Sequence, residues 1–198
     1  MPFPRPAPAV LIPALLAFAL PSAALAACSD PAASGVDWSG CDKAGSNLSG
    51  AVLDEANLAG ANLSQSNLSG ADFYGANLTG ANLSASNLSK ATLSRTTMDK
   101  ANIAGSNLSH AKLAAADLSG ATLAGSNLIG ARMEDATLTG ANFAGSNMSE
   151  VIAFEADFTD AILDGAVLNG ASFGFSTWID GTTICDEESV GECRASGG

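Results

Sequence analysis

The chain has 198 residues, with eight Lys and Arg against twenty Asp and Glu, and a formal charge of −12 at pH 7. Nucleic-acid phosphates are bound by clustered Lys and Arg, so this composition excludes nucleic acid as a partner. The charge is compatible with basic protein partners, and it helps to keep an elongated molecule soluble.

The first predicted element is a secretory signal peptide over residues 1–26. Arg5 precedes an apolar run over residues 10–20, and Ala-Leu-Ala at 24–26 places small residues at the two cleavage-pocket positions. This layout is typical of a signal peptide, and the run is too short for a membrane-spanning helix, which needs about twenty residues. We therefore expect cleavage after Ala26, export to the periplasm or the medium, and no transmembrane segment in the mature chain. Loss of Arg5 makes the charge of the mature chain −13.

Four cysteines lie in two pairs, Cys28 with Cys41 and Cys185 with Cys193. Leu-Ala-Ala-Cys at 25–28 also resembles a bacterial lipobox, which would make Cys28 a lipid anchor. Lipidation would leave Cys41 unpaired in an oxidising compartment, whereas two local disulfides use every thiol. Disulfides are therefore favoured, and the lipid anchor stays an alternative. A redox or metal role for the second pair is disfavoured because the spacing is not Cys-x-x-Cys and no histidine accompanies it.

These cysteine pairs define two predicted caps. The N-terminal cap covers residues 27–45, and the C-terminal cap with its acidic tail covers residues 181–198. Trp38 and Trp178 are the only tryptophans, and each stands beside one cysteine pair. The ends of a stacked structure expose core and unpaired strand edges, so we predict that the tryptophans plug the two ends.

The segment between the caps, residues 46–180, is a run of five-residue units of the form A-N-L-x-x. The first residue is small and the third is Leu, Ile, Met or Phe, so both side chains lie on one side of an extended strand. An apolar period of five drifts around a helix of 3.6 residues per turn. The pattern instead predicts a coil that turns a corner every five residues, with neighbouring coils stacked to close a core.

A second period of twenty residues sets the size of each coil. SNLSG at 46–50 returns in close copies every twenty residues, and residues that recur at a fixed spacing are neighbours in a stack. One coil therefore holds four units and has four faces. The inward serine column can bond along itself or to the adjacent backbone. Its members are Ser46, Ser66, Ser86, Ser106, Ser126 and Ser146.

The units ANLAG, ANLSQ, ADFYG, ANLTG and ADLSG resemble those of the pentapeptide-repeat family, and the frame extends over residues 36–180. The resemblance implies an all-β fold, a right-handed quadrilateral β-helix. At twenty residues a coil, the repeat region would form about seven coils of four pentapeptides.

Two units depart from the rule. Lys43 stands where Leu belongs, and because an ammonium is not buried unpaired, we expect an irregular first coil with the lysine reaching solvent. In the unit 151–155 the central residue is Ala153. Either Val151 makes up the volume, or a bulge turns Ile152 and Phe154 inward; the first alternative is favoured.

One of the four faces, formed by the units that begin at 51, 71, 91, 111, 131, 151 and 171, is chemically varied; we call it the charged face. It is the candidate partner surface, with Tyr74 and Phe154 as exposed aromatic anchors. The alternative is sequence drift on a solvated face. Its outward residues include Asp54, Glu55, Asp72, Tyr74, Arg95, Lys112, Arg132, Glu134, Asp135, Phe154 and Glu155.

The residues needed for catalysis are scarce. His110 is the only histidine and falls at a predicted corner, and no carboxyl pair lies in an apolar stretch that would raise a pKa for acid–base chemistry. We expect neither enzymatic activity nor a cofactor. Calcium is a minor alternative, because carboxylate oxygens are its ligands, although no EF-hand loop or nonapeptide repeat is present. The acids concerned are Asp157, Asp160, Asp164, Asp180, Asp186, Glu187 and Glu188.

Taken together, the sequence predicts an exported, non-catalytic rigid rod that acts as a protein-binding or structural module. Its partner would be a protein or a cell-envelope component, and end-to-end pairing of two rods through Phe173, Phe175 and Trp178 is left open. The resemblance also implies an alternative, an acidic DNA-mimicking inhibitor or protector of DNA gyrase. The signal peptide disfavours this alternative, because gyrase is cytoplasmic.

Overall fold

The computed structural model describes residues 28–195, so the predicted signal peptide and the lipobox residues before Cys28 lie outside the described residues. Residues 28–195 contain no helix and no strand longer than isolated bridge residues. Parallel bridges, from Asp37↔Asn57 to Asp157↔Thr177, each join residues that are twenty apart. The chain is therefore an all-β solenoid, a β-helix in which one coil takes four pentapeptides.

Each pentapeptide uses its five positions in the same way. The second residue forms the bridges to the coils on either side, the first and third point inward, and the fourth and fifth form a turn. The turn is closed by a hydrogen bond such as that from Ala56 N–H to the Leu53 carbonyl at 3.2 Å. The fifth residue has a positive φ, as at Glu55 with φ 57°, which is the requirement of the corresponding position in type II turns.

The backbone ladder has a fixed direction along the rod. The N–H groups of the third and fifth positions donate to the following coil, as from Leu53 to Asp72 at 2.7 Å and from Glu55 to Tyr74 at 2.8 Å. The N–H of the second position donates to the preceding coil, as from Asn57 to Val36 at 2.9 Å. Each coil therefore satisfies its polar backbone groups through its neighbours, and the terminal coils need other partners.

Four faces run along the solenoid. The charged face is defined above, and we name the other three by the first unit that distinguishes them. The tryptophan face begins at 36 and continues every twenty residues to 176, the cysteine face runs from 41 to 161, and the serine face runs from 46 to 166. In a coil of four units, the charged face lies opposite the cysteine face.

The interior is filled by the first and third residues of the units. Leu53, Leu88 and Leu128 are completely buried, and the departure at unit 151–155 is accommodated without a bulge. Val151 and Ala153 are both completely buried, while the regular bridges of Ile152 to Arg132 and Ser172 are kept. Val151 thus supplies the volume that Ala153 lacks.

An aromatic cluster closes the core at the C-terminal end. The ring of Phe158 lies 6.3 Å from that of Phe143, 5.6 Å from that of Phe173 and 5.7 Å from that of Trp178, measured between centroids. Phe173 and Trp178 are themselves 5.1 Å apart in an edge-to-face arrangement, which is a favourable geometry for aromatic pairs. Trp178 is half-buried, and it covers the cluster at the end of the rod.

The N-terminal cap is held by a disulfide between Cys28 and Cys41, and Trp38 beneath it is 1% exposed. The indole N–H of Trp38 donates to the carbonyl of Asp30 at 3.1 Å. The prediction of an irregular first coil at Lys43 is wrong, because Lys43 N–H makes the regular bond to the Asn62 carbonyl at 2.7 Å. The Lys43 ammonium lies 3.8 Å from the centroid of the Trp38 ring. A cation–π contact therefore satisfies a half-buried lysine.

The C-terminal cap is an antiparallel addition to the last coil. Val190 bridges Ser172 and Ile184 bridges Thr177, and a disulfide joins Cys185 to Cys193. The backbone N–H of Phe173 donates to the carbonyl of Ser189 in the cap, at 2.9 Å. These bonds replace, on the charged and tryptophan faces, the coil that would otherwise follow.

Candidate binding surfaces

Any ligand must meet this protein at its surface, because the first and third residues of the units occupy the interior. Residues 28–195 contain no pocket. Within the same residues, no three His, Cys, Asp or Glu side chains converge to hold a metal ion, and the acids considered for calcium do not form such a group. The described part of the chain contains no helix with the length and apolar character to cross a membrane.

The charged face carries one ion pair between its own side chains. Arg132 donates from Nε and Nη2 to Oε1 of Glu134, at 2.9 and 2.6 Å. The arginine is largely exposed, so the pair adds only about 0–1 kcal/mol to stability. The other oxygen of Glu134 is buried without a hydrogen-bond partner among residues 28–195. Arg95 and Lys112 form no ion pair within the described residues, and their charges face solvent.

The two aromatic residues of the charged face behave differently. Tyr74 is 42% exposed, which leaves its ring available to a partner. The prediction that Phe154 is also exposed is wrong, since it is half-buried and lies against Gly174 in the next coil. A Cβ atom placed on Gly174 would lie 2.5 Å from Cε1 of Phe154 and 2.9 Å from the carbonyl of Glu187. The absence of a side chain at Gly174 thus leaves room for the Phe154 ring and for the backbone of the C-terminal cap.

The serine column lies within the core. Ser106 and Ser126 donate their hydroxyls to the carbonyls of Leu83 and Ile103, at 2.7 and 2.8 Å. The hydroxyls of Ser86 and Ser146 are buried and have no partner in the described part of the chain. Ser66 bonds to Lys43 at 3.0 Å, and Ser46 at the open end of the column is half-buried. The column is therefore internal and offers no binding site.

Outside that column, the asparagines of the serine face form a hydrogen-bonded ladder. The sequence analysis predicted their recurrence but not these hydrogen bonds. The Oδ1 atom of Asn87 accepts from the backbone N–H of Ser89 at 3.2 Å and from Nδ2 of Asn107 at 3.3 Å. From Asn47 to Asn107, each asparagine of this face closes its own turn and bonds to the asparagine of the next coil. Asn127 and Asn147 keep the bond within the turn. This double role explains why Asn recurs at this position, as side-chain oxygens that bond to the backbone two residues on are typical of turns.

His110 lies at a corner with φ 57°, in the predicted place. Its imidazole extends over Gly130 in the next coil, where a Cβ atom would be only 2.7 Å from Nδ1. The absence of a side chain at Gly130 makes room for the ring. This arrangement gives His110 a packing role at the corner.

Several acids at the C-terminal end cap turns. The hydroxyl and the N–H of Thr183 bond to Asp180 and lower the pKa of its carboxyl to about 2. Thr159 lowers the pKa of Asp157 in the same way, chiefly through its hydroxyl. Hydrogen bonds to a carboxylate favour its charged form, so these groups stay ionised at neutral pH.

The geometry can be compared with known proteins. A trypsin-treated variant of QnrB1, a plasmid-mediated fluoroquinolone resistance protein, is 19% identical over 72% of each chain, with a TM-score of 0.69. HetL, involved in heterocyst differentiation regulation in the cyanobacterium Nostoc sp. strain PCC 7120, is 22% identical. That comparison covers 75% of this chain and 92% of HetL, with a TM-score of 0.37. At 19% identity, the likeness to QnrB1 concerns the fold alone. No curated protein matches the chain.

The family model for Pentapeptide repeats matches eight copies, over residues 46–84, 76–113 and 116–152. These matches cover more than half of the chain, and they fall on the units whose bridges repeat every twenty residues. The chain therefore belongs to the pentapeptide-repeat family.

Proposed function

We propose that the protein is an exported, non-catalytic rod, a right-handed quadrilateral β-helix of about seven coils, that binds a protein or cell-envelope component through the charged face. The observation that carries the proposal is the contrast between this face and the serine face. At the second position, the serine face repeats asparagine from Asn47 to Asn147, whereas the charged face carries a different residue in every coil. A residue that the ladder requires should recur, so the varied side chains serve another purpose.

The exposed groups of the charged face suit protein recognition. Tyr74 offers an aromatic ring, and Arg95 and Lys112 offer cations that no carboxylate neutralises within residues 28–195. Tyrosine and arginine are enriched among residues that dominate binding energy in interfaces. The disulfides at both ends favour an oxidising compartment, in keeping with export.

Export is tested by the intact mass of the protein recovered from its native host without reductant. The expected mass is that of Ala27–Gly198 less four hydrogens. A mass that begins at Cys28 with added acyl chains would mean a membrane-tethered rod, and an uncleaved chain would overturn export.

Binding is tested by photo-crosslinking in the native host, with benzoylphenylalanine in place of Tyr74. The matched control places it at Ser64, in the same coil and the same slot of the opposite face. The expected result is a discrete adduct from position 74 and none from position 64. Equal adducts from both positions, or none from either, would contradict recognition by the charged face.

A second candidate is a DNA-mimicking inhibitor or protector of DNA gyrase, favoured by the charge of −13 and the extended solenoid. It has weaker support, because a duplex mimic needs carboxylates along its whole length. Half of the acids lie within residues 150–195, and Arg95, Lys112 and Arg132 interrupt the charged face. Purified protein without effect on gyrase supercoiling at micromolar concentration would remove this candidate.

A further inference from the structure

The C-terminal end of the solenoid is covered over only half of its width. On the charged and tryptophan faces, the cap accepts the backbone N–H groups of Phe173, Phe175 and Trp178. On the cysteine and serine faces, residues 161–170 form the last layer. The corresponding groups there have no partner within residues 28–195; they are the N–H groups of Leu163, Gly165, Leu168 and Gly170 and the carbonyls of Ala161 and Ala166.

This uncovered half, which we call the open edge (residues 161–170), is also apolar on its outer side. Ile162 and Val167 are 44% and 42% exposed. The same slots of the preceding coil hold Asn142 and Asn147, so the polar ladder is interrupted in the last layer. Unpaired N–H and C=O groups beside exposed apolar side chains are what an added β-strand requires.

The charge around the open edge is strongly negative. Residues 150–195 contain ten carboxylates and only Arg194 as a base, whereas residues 28–149 contain ten carboxylates and six bases. The ten are Glu150, Glu155, Asp157, Asp160, Asp164, Asp180, Asp186, Glu187, Glu188 and Glu192. Asp160 and Asp164 lie two residues before and two residues after Ile162, so acids stand at the turns on both sides of this apolar residue.

We propose that the open edge binds an extended segment of a partner protein in which apolar residues are flanked by Lys or Arg, and that this segment adds as a β-strand to the last coil. The inference deepens the proposed function and rests on its premise that the rod binds a partner. Charge selects the occupant: a second copy would bring the same acidic end against this one, and like charges across an interface oppose association. A basic segment gains attraction, backbone pairing and apolar burial together.

The backbone of the open edge sets the form of the segment. Each of its two sides offers two N–H donors and one carbonyl acceptor, as Leu163, Gly165 and Ala161 do on the cysteine face. Alternating side chains of a strand point to opposite sides. The partner segment therefore carries its apolar residues at alternate positions, against Ile162 or Val167, with its basic residues beyond them.

The test measures binding of a blocked, fluorescently labelled nonapeptide, KVTVKVTVK, to the mature chain. Binding is followed by fluorescence anisotropy at 150 mM salt. A double variant, Ile162→Asn with Val167→Asn, restores in both slots the residue of the preceding coil, so the fold accommodates it. The expected result is binding that weakens by about tenfold or more in the double variant, because apolar contact is lost. Ile184→Asn removes a residue of matching exposure, 42% accessible, from the cap on the tryptophan face, and it leaves binding of the peptide unchanged.

Two control peptides separate strand addition from simple charge attraction. A peptide N-methylated at alternate residues loses its N–H donors, and EVTVEVTVE reverses its charge; both are expected to bind at least about tenfold more weakly. Equal binding of the N-methylated peptide, or equal binding to the double variant, would overturn the proposal. So would sedimentation of the free protein as a dimer that the double variant dissociates, because the occupant would then be a second copy. None of these outcomes affects crosslinking from position 74, so this proposal and the proposed function fail separately.

Discussion

Two serines in neighbouring coils of the serine column should respond oppositely to the same substitution. Ser126 donates to the Ile103 carbonyl at 2.8 Å and accepts the N–H of Ser106 at 3.3 Å. Ser146, in the same slot one coil later, is completely buried and has no hydrogen-bond partner in residues 28–195. Since alanine occupies the equivalent slot on the other faces, for example at Ala121, Ser→Ala leaves the packing of either site intact.

The expected magnitudes follow from hydrogen bonding alone. Ser126→Ala removes a bonded hydroxyl and should lower the free energy of unfolding by about 1 kcal/mol. Ser146→Ala removes a buried hydroxyl that is desolvated without compensation, and should raise the free energy of unfolding by about 1 kcal/mol. The two variants should therefore differ by about 2 kcal/mol. For a domain of this size, this is a difference in Tm of about 4–8 °C.

The assay is thermal and urea denaturation of the oxidised protein, followed by circular dichroism. Solenoids unfold through nearest-neighbour interactions, but the two sites are adjacent coils of one column, so fraying from the ends affects them alike. An unchanged urea m-value is expected in both variants, because neither alters the surface exposed on unfolding. Shifts of the same sign and size would refute the assignment of one satisfied and one unsatisfied hydroxyl.

Three further predictions concern the C-terminal end. Gly174→Ala should destabilise the cap by about 1–3 kcal/mol, because the new methyl collides with Phe154 and with the cap backbone. Hydrogen exchange of the Phe173 amide should accelerate, and unchanged exchange would contradict the close approach of Phe154 and the cap to Gly174. The carboxyl of Asp180 should titrate with a midpoint of about 2. Since this lies below the unfolded value of about 3.9, its stabilising contribution is present above that pH and is lost as the pH falls towards 2; an NMR titration with an ordinary midpoint would exclude the Thr183 bonds. Phe158→Ala should cost about 3–5 kcal/mol and shift the fluorescence of Trp178 to longer wavelength, whereas an unaltered spectrum would place the tryptophan outside the cluster.

The repeat frame could be predicted from sequence because stacking imposes chemistry on each slot. A residue such as Asn87 bonds to its own turn and to Asn107, twenty residues later. Because this double role favours asparagine at the same slot of each coil, the recurrence of asparagine indicates the length of the coil. Lys43 was misjudged for the opposite reason. Its partner, the ring of Trp38, belongs to the preceding unit, and the contact depends on how the first coil folds around its corner.

The exposure of Phe154 could have been corrected from the sequence. Gly174 lies twenty residues later and is the only glycine in the fourth slot of any unit from 36 to 180, which marks a place where a neighbour needs the space. The open edge has no such signal. Which faces the cap covers depends on the path of residues 181–195 across the last coil, and that path is set by tertiary contacts such as Val190 with Ser172.

The twenty-residue coil also means that the solenoid can be shortened without rearranging its faces only by whole coils of twenty residues. Removal of one whole coil, such as residues 96–115, would shorten the solenoid by one strand spacing, about 4.8 Å, and would keep every column in line. Removal of a single pentapeptide would instead rotate everything beyond it by a quarter of a turn. The downstream half of the charged face would then continue from the upstream half of the serine face. A deletion of five residues would therefore cut the charged face in two while leaving a complete β-helix, whereas a deletion of twenty would leave the face whole.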